Sequence, residues 1–194
     1  MFKSRTSMVI SVIAAFIVFY AIFSYNSLVS MDENASAKWS NVEVQYQRRA
    51  DLIPNLVNTV KGYATHEKET FEDLTALRAK AFQTSVSDNP TADELKQFEQ
   101  TQGAISSALG RLIAVSENYP DLKANQNFLE LQAQLEGTEN RIAVARKDFN
   151  DAVNAFNTGI RKFPKNILSS VFGFESKAYL KAKEHAEDSP KVSF

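Results

Sequence analysis

The stretch Met8–Phe23, MVISVIAAFIVFYAIF, decides the architecture of this chain of 194 residues. It is interrupted only by Ser11, and no charged residue stands between Arg5 and Asp32. A membrane-spanning helix needs about 20 mostly apolar residues, and the stretch reaches that length when it is extended through Tyr25. The rest of the chain is polar and charged. The sequence therefore predicts a small domain that one N-terminal helix holds on a bilayer.

The downstream edge of this stretch favours a retained anchor over a cleaved signal peptide. A signal peptide has an apolar core of about 7 to 15 residues, followed by a site with small residues around one variable position. Phe23–Asn26 offers no such site, and Ala35–Ala37 lies too far beyond the core. We therefore expect the apolar segment to remain in the mature protein.

The charges on either side of the anchor predict its orientation. Lys3 and Arg5 precede it, whereas Asp32 is the first charged residue after it. Lysine and arginine are enriched on the cytoplasmic side of membrane helices. We therefore expect residues 1–6 to form a short cytoplasmic tail and residues 7–25 to cross the inner (cytoplasmic) membrane once. The bulk of the chain is then extracytoplasmic (periplasmic).

Composition narrows the class of protein. The net charge of −1 gives no indication of nucleic acid as a partner. The chain has no cysteine, which excludes disulfides, thiol catalysis and cysteine-ligated zinc. Six glycines and five prolines are few for this length, as is typical of long helices rather than of sheets with many turns. The roughly 165 residues after the anchor suffice for one domain with its own core.

Apolar residues at helical spacing predict an all-α fold with four long helices. The first continues directly out of the membrane helix, because no glycine or proline intervenes. The second begins at an N-cap at Asp51, with Pro54 in its first turn. The third is introduced by Asp88–Thr91, a turn followed by a cap and the acidic residues Asp93 and Glu94. The fourth, the longest, ends at Pro164. The four apolar faces are, in order, Leu28, Met31, Ala35, Trp39, Val42 and Tyr46; Ile53, Leu56, Val60, Tyr63, Phe71, Leu74, Leu77 and Ala81; Leu95, Phe98, Ile105, Leu109 and Leu112; and Phe128, Leu131, Leu135, Ile142, Ala145, Phe149, Ala152, Phe156, Ile160 and Phe163.

Short connections predict that these helices form an antiparallel up-down-up-down four-helix bundle over residues 26–163. The nearly strict heptad spacing of the fourth helix predicts coiled-coil packing. In this topology the fourth helix returns to the membrane. Residues 164–194 are then an apolar membrane-proximal segment followed by a polar C-terminal tail.

Several stretches carry a family resemblance along nearly the whole chain. The most specific is QRRADLIPNL, residues 47–56, within Trp39–Val57; the others are Tyr25–Leu28, Ser116–Leu122, Glu139–Ile142, Phe163–Pro164 and Phe172–Phe174. In these stretches the chain resembles the LemA family. The resemblance implies a membrane-anchored helical bundle with no established catalytic residues, in a family whose members have been assigned both orientations. One relative takes part in magnetosome membrane biogenesis, which implies a role in organising membrane.

The residue types that carry catalysis do not form a recognisable motif. His66 and Glu67 begin like a zinc-protease helix, but Thr70 stands where the second histidine is needed. Neither histidine of the chain has the glutamate three residues earlier that a di-iron bundle requires. No glycine-rich phosphate loop and no nucleophile elbow is present. We therefore expect a protein that is not an enzyme, with no catalytic residues, no cofactor and no metal.

Apolar and basic residues occur together around the predicted end of the fourth helix. In one interpretation, the apolar side chains enter the headgroup layer and the cations meet lipid phosphates. In the other, the apolar side chains fold back and close the open end of the bundle. The residues are Phe163, Ile167, Leu168, Val171, Phe172 and Phe174, with the cations Arg161, Lys162 and Lys165.

A second candidate surface lies at the predicted tip of the bundle away from the membrane. Tyrosine and arginine are favoured anchors at protein interfaces. The alternative is ordinary helix capping, with cations at a helix C-terminus. The residues are Arg48, Arg49, Asp51 and Asn55 between the first two helices, with Tyr119 and Asp121 from the next corner.

Two functions follow from these features. The leading hypothesis is a non-enzymatic membrane-anchored scaffold of the bacterial cell envelope, a homo-oligomer that organises or remodels membrane. The alternative is an adaptor module that presents its distal tip or its C-terminus to an envelope protein such as a membrane protease. Val192–Phe194 would suit a groove that captures a terminal carboxylate, although most chain ends are frayed.

Overall fold

The computed structural model describes residues 2–64, 67–84 and 86–181, with side chains from residue 7 onward. Within these ranges the chain is helical and contains no β-strand. The six α-helices are α1 (Phe2–Lys61), α2 (Lys68–Gln83), α3 (Ala92–Val115), α4 (Pro120–Lys123), α5 (Gln126–Arg161) and α6 (Lys165–Phe172), and a 3-10 turn at Ser116–Asn118 joins α3 to α4.

Helix α1 joins the apolar segment and the domain in one rod of 60 residues, about 90 Å long. The predicted continuity between the two is confirmed. The predicted N-cap at Asp51 is wrong, because α1 runs through Asp51 and Pro54 to Lys61. The second predicted helix is therefore divided between the end of α1 and α2. The prediction that the fourth helix is the longest is also wrong, since α5 has 36 residues.

A side chain of α2 replaces the hydrogen bond that Pro54 removes from α1. Proline has no amide hydrogen, so the carbonyl four residues earlier loses its helical donor. That carbonyl belongs to Ala50, and it accepts a hydrogen bond of 2.9 Å from Nε of Arg78. The guanidinium of Arg78 also lies 4.7 Å from the ring centroid of Phe82. The helix continues through the proline because a neighbouring helix supplies the missing donor.

Helices α1 and α5 pack antiparallel. The ion pairs Lys38–Asp148 and Arg49–Glu139, each 3.2 Å long, follow opposite directions along the two helices. The glycine at 159 lets α5 approach α1 closely, because a Cβ there would lie 3.0 Å from Sδ of Met31.

Helices α2 and α3 form a hairpin that packs on the α1–α5 pair toward its distal end. The predicted cap of α3 is confirmed as a capping box. The Thr91 hydroxyl accepts from the Glu94 amide at 3.2 Å, and the Glu94 carboxylate accepts from the Thr91 amide at 2.8 Å. The backbone and side-chain hydrogen bonds from Thr91 lower the pKa of Glu94.

The core consists of three apolar clusters along α1 and α5. The distal one is built around Leu56, Leu74, Leu112 and Phe128, and helices α1 to α5 all contribute to it. The middle one is built around Trp39, whose ring lies 5.3 Å from Phe98 and 5.4 Å from Phe149 between centroids. The membrane-side cluster is small and consists of Leu28, Phe156 and Ile160, with Met31 and Phe174 against it.

Candidate membrane-proximal site

The first part of α1 exposes an apolar surface on all sides. Its large apolar side chains are between 53% and 72% exposed. Among the described residues, α1 is the one helix that is long and apolar enough to cross a membrane. A helix that is apolar all round needs lipid or protein around it. The side chains are Met8, Val9, Ile10, Val12, Ile13, Phe16, Ile17, Val18, Phe19, Ile22 and Phe23.

Helix α6 lies beside the point where this apolar surface ends. The Tyr25 ring lies 4.9 Å from the Phe172 ring and 5.8 Å from the Phe174 ring, centroid to centroid. Nζ of Lys165 donates a hydrogen bond of 2.9 Å to the Ser27 hydroxyl. The two ends of α6 are thus held on the same turn of α1. This contact places the predicted membrane-proximal segment at the level of Tyr25.

The turn from α5 into α6 is held by Ser169. Its buried hydroxyl donates to the carbonyl of Ile160 at 2.9 Å, across the junction of the two helices. Gly173 ends α6 with φ of +74°, a left-handed conformation that suits glycine. The amide of Phe174 then donates to the Ser169 carbonyl at 2.9 Å.

Large apolar side chains are exposed on α6 and in the turn before it. Phe163, Ile167 and Val171 follow each other at steps of four residues and are 80%, 56% and 73% exposed. Phe172 adds a ring that is half exposed. Ile167 and Val171, one turn apart, lie on one side of α6, whereas Phe163 belongs to the turn before the helix. The exposed side chains therefore point away from the bundle at the level where the apolar part of α1 ends.

The other predicted residues of this segment have different surroundings. Phe174 and Leu168 are half-buried, and the Phe174 ring lies 6.2 Å from that of Phe156. The cations Arg161 and Lys162 are exposed, whereas Lys165 is half-buried against Ser27. Part of the segment thus closes the end of the helix pair, and part of it is free for another surface.

The residues predicted to share a distal tip are not brought together. Because α1 does not end near Asp51, the residues Arg48, Arg49, Asp51 and Asn55 lie along its length, facing several neighbours. The turn after α1 is at Gly62–Ala64, where Nδ2 of Asn125 donates to the Tyr63 hydroxyl at 2.9 Å. The predicted placement is therefore wrong for the four residues of α1. Tyr119 and Asp121 do lie at a corner, between α3 and α5.

Arg49 is buried, not part of an exposed patch. Its side chain is 3% exposed and lies between the middle and distal clusters. It donates to the Ser106 hydroxyl at 2.7 Å, to Oε1 of Gln102 at 2.6 Å and to Glu139 at 3.2 Å. Burial lowers the pKa of Arg49, while the charge of Glu139 opposes this shift. The side chain joins three helices.

Comparison with known proteins identifies the group to which the chain belongs. The model of the LemA family matches residues 38–194, which is most of the chain. The chain belongs to the LemA family. The resemblance of its sequence motifs is confirmed by this match.

Relatives of this LemA-family chain include proteins named for a membrane organelle. It is 31% identical over 207 residues to Magnetosome protein MamQ 2 of Paramagnetospirillum magneticum, covering 96% of this chain and 75% of that protein. It is 30% identical over 188 residues to Magnetosome protein MamQ of Magnetospirillum gryphiswaldense, covering 87% and 68%. It is 24% identical over 152 residues to Protein LemA of Metamycoplasma hominis, covering 78% and 65%.

The segment that follows α6 in this LemA-family chain has no periodic pattern from which its position could be predicted. Residues 174–181 run along α5 without helical or strand structure. They carry Leu180 and Ala178 into the middle cluster. The signal that could have found them lies on α5, where Asn150 and Asn157 occur seven residues apart on one face. The predicted groove-binding Val192–Phe194 lies outside the described residues.

Metal binding has no candidate within the described part of the chain. No group of three or more histidine, aspartate or glutamate side chains lies close enough there to hold a metal ion. The His66 motif lies outside the described residues.

Proposed function

We propose that this LemA-family protein is a non-enzymatic scaffold of the bacterial cell envelope. The N-terminal helix crosses the inner membrane once, and the four-helix bundle, with a coiled-coil-like seam between α1 and α5, stands on the periplasmic side. The protein self-associates and organises or remodels the bilayer to which it is anchored. The names of the magnetosome relatives support a role at a membrane.

The contact of α6 with Tyr25 is the observation that carries this proposal. Tyrosine is enriched at membrane–water interfaces, and Tyr25 follows the apolar part of α1 directly. Because the Phe172 ring packs on Tyr25, the exposed side chains of Phe163, Ile167 and Val171 lie at the height of the headgroup layer. An amphipathic helix in this position inserts its apolar face into the boundary of headgroups and acyl chains. Arg161 and Lys162 are then available to lipid phosphates.

A second membrane contact through α6 is more consistent with a scaffold than with a domain that is merely tethered by α1. A single helix leaves the domain free to change its tilt relative to the membrane plane. An interfacial helix fixed to the same domain by Lys165 and Ser169 opposes such changes. Insertion of α6 in one leaflet also adds area to that leaflet alone. Several copies gathered side by side would therefore influence membrane shape.

Fluorescence of a single attached probe tests the membrane contact. The chain has no cysteine, so Val171→Cys gives one labelling site on α6. Val144→Cys is the matched control, because Val144 on α5 is 61% exposed and lies away from α6. In vesicles of full-length protein, nitroxide-labelled lipids should quench the probe at 171 and not at 144. Equal quenching at both positions would overturn the contact.

Two further measurements test the remaining parts of the proposal. The mass of the full-length protein in detergent should exceed that of a monomer, and a strictly monomeric particle contradicts a self-associating scaffold. Labelling in intact cells tests orientation. A membrane-impermeant maleimide should label Ser40→Cys and not Ser4→Cys, and the reverse pattern would place the bundle in the cytoplasm.

A further inference from the structure

Residues 174–181 are held through their main chain by side chains of α5. Nδ2 of Asn157 donates to the Lys177 carbonyl at 2.9 Å, and its Oδ1 accepts from the Lys177 amide at 2.9 Å. Asn150 makes the same pair of bonds with Leu180, at 2.8 Å and 3.0 Å. A side-chain amide that binds both groups of one residue imitates a neighbouring β-strand. Two such amides form a ladder for an extended peptide.

The ladder continues at Lys181. Nη2 of Arg146 donates to the Lys181 carbonyl at 2.6 Å, and Oε1 of Glu99 accepts from the Lys181 amide at 3.1 Å. Arg146 and Glu99 are themselves ion-paired at 2.7 Å, so α3 and α5 present them together. These contacts engage only the peptide backbone. They do not depend on which residue stands at each position.

Two side chains of the segment are buried in the groove and limit which peptide sequences it can bind. Nζ of Lys177 lies 2.6 Å from Asp32 and 2.7 Å from Oδ1 of Asn89, and the side chain is only 6% exposed. Leu180, three residues later, is 2% exposed in the middle cluster. The groove between α1, α3 and α5 therefore suits an extended peptide that carries lysine and, three residues on, leucine. Its backbone is bound at both of these positions.

The connection between α6 and this segment is loosely packed. Cavities of about 690 Å³ and 560 Å³ are both lined by residues 173–177. Gly173 is the first residue of this connection. Nothing lies within 4 Å of the position that a Cβ would occupy there. Of the residues before Lys177, Phe174 packs on Tyr25 and Phe156, so an exchange must release this ring from the membrane-side cluster. Glu175 and Ser176 are exposed.

We propose that the groove also binds residues 177–181 of a second copy of the chain, so that neighbouring copies exchange these residues. The inference rests on the proposed self-association and gives it a mechanism. Exchange preserves every contact of the ladder, and for this reason domain swapping is a low-cost route to assembly. All copies are anchored through the same helix, so the groove and the segment of each copy lie at one height above the bilayer. This confinement raises their effective concentration.

The length of the connection limits the arrangement of the two copies. The four residues 173–176 span at most about 14 Å when extended. The groove of the second copy must therefore begin within this distance of Gly173 in the first. Helices that pack directly have axes 8–10 Å apart, so the exchange requires copies whose helices touch. Reciprocal exchange therefore joins copies that are in direct contact.

Cross-linking between two differently tagged copies tests the exchange. One copy carries Asn154→Cys, an exposed position on α5 between the two asparagines, and the other carries Tyr179→Cys, an exposed position between Lys177 and Leu180. Both full-length chains are expressed together, and native membranes are treated with a short bismaleimide. We expect a cross-linked heterodimer about tenfold stronger than with the matched control Asn140→Cys, which lies farther along α5, because binding in the groove concentrates the two thiols.

Two variants complete the experiment. A chain with both Asn154→Cys and Tyr179→Cys reports binding of the segment within one copy, and Asn157→Ala in the copy with the α5 cysteine should reduce the heterodimer severalfold. A heterodimer no stronger than the Asn140 control overturns the exchange. If the protein is then still oligomeric by mass, the scaffold stands and its contacts lie elsewhere. If the protein is monomeric, the proposed function fails as well.

Discussion

Nε of Arg78 on α2 donates a hydrogen bond of 2.9 Å to the carbonyl of Ala50, the group that Pro54 leaves without a helical donor. The same guanidinium lies 3.9 Å from Asp51 and stacks on Phe82. A side chain of α2 thus supplies a hydrogen bond that is missing inside α1. It explains why QRRADLIPNL, with its proline, lies in the interior of a long helix.

Arg78→Ala should lower the free energy of unfolding by about 1.5 kcal/mol, the lower value for a hydrogen bond from a charged donor, because the side chain is one-third exposed. In the Pro54→Ala background, the restored amide satisfies Ala50, so the loss should shrink by about 1 kcal/mol. Denaturant unfolding of the four chains gives this coupling. Lys80→Ala, an exposed substitution on α2, should change stability by less than about 0.5 kcal/mol. Additive effects would show that Arg78 does not replace the missing bond.

Arg48 and Arg49 are neighbours in sequence but differ in burial, so they form a matched pair. Arg49→Ala removes the guanidinium that donates hydrogen bonds to Ser106, Gln102 and Glu139. We expect the free energy of unfolding to fall by about 3 kcal/mol. This is the low end for a broken buried ion pair, since the Glu139 side chain is 38% exposed. Arg48→Ala on the exposed side should have an effect below about 0.5 kcal/mol. Similar values for both in thermal unfolding would argue against a structural role of Arg49.

The capping box of α3 predicts a stability change in acid. The pKa of Glu94 is lowered by the hydrogen bonds from Thr91, so the folded state binds its proton less readily than the unfolded state does. The stabilisation is fully present above the ordinary value of 4.5 and is lost as the pH falls through the lowered pKa. Glu94→Gln should reduce the slope of stability against pH in that range.

Thr91 provides the control for the same cap. Thr91→Ala should cost about 1 kcal/mol at neutral pH, whereas Thr91→Ser keeps the hydroxyl acceptor and should cost little. Unfolding midpoints from pH 3 to 7 compare all three variants. An unchanged slope in Glu94→Gln would show that this carboxylate does not contribute to the acid dependence.

Two helical glycines have opposite surroundings and should respond oppositely to a side chain. At Gly110 on α3 nothing lies within 4 Å of an added Cβ, so Gly110→Ala should stabilise by up to about 1 kcal/mol through helix propensity. At Gly159 an added Cβ meets Met31 at 3.0 Å and Leu28 at 3.7 Å. Gly159→Leu should therefore destabilise by about 1–3 kcal/mol through overpacking. Stabilisation by both substitutions would contradict the close approach of α1 and α5.

The sequence alone was sufficient to predict features that depend on residues close to one another along the chain. The apolar face of α5 from Phe128 to Ile160 and the cap at Thr91 depend on residues within one or two helical turns, and both are found as predicted. Phe163, the last residue of the predicted face, lies beyond α5 and is exposed. A helix start at Asp51 was predicted because Asp and Pro are strong local signals of a helix start, and this prediction was wrong. The group that overrides them, Arg78, lies 28 residues from Ala50, and no local pattern reveals such a contact.

The candidate site was predictable in part for the same reason. The apolar spacing of Phe163, Ile167 and Val171 is a local pattern. Lys165, just after the end of α5, contacts Ser27, as the predicted helix order requires. The burial of Arg49 depends on Gln102 and Glu139, which are distant in sequence. Residues 174–181 have no helical period, and they are held by asparagines that also suit an exposed helix surface. Their position could not be inferred before the helices were placed.

In the proposed membrane arrangement, the continuity of α1 makes the domain a rigid arm that would tilt together with the membrane-spanning segment. Residues 26–61 project about 54 Å beyond the apolar segment without a hinge. Membrane helices adjust their tilt to the thickness of the surrounding lipid. A change of 10° in tilt would move the far end by about 9 Å, roughly the spacing of two packed helices. By opposing such tilting, the proposed insertion of α6 would limit this displacement and keep the distal ends of neighbouring copies in register.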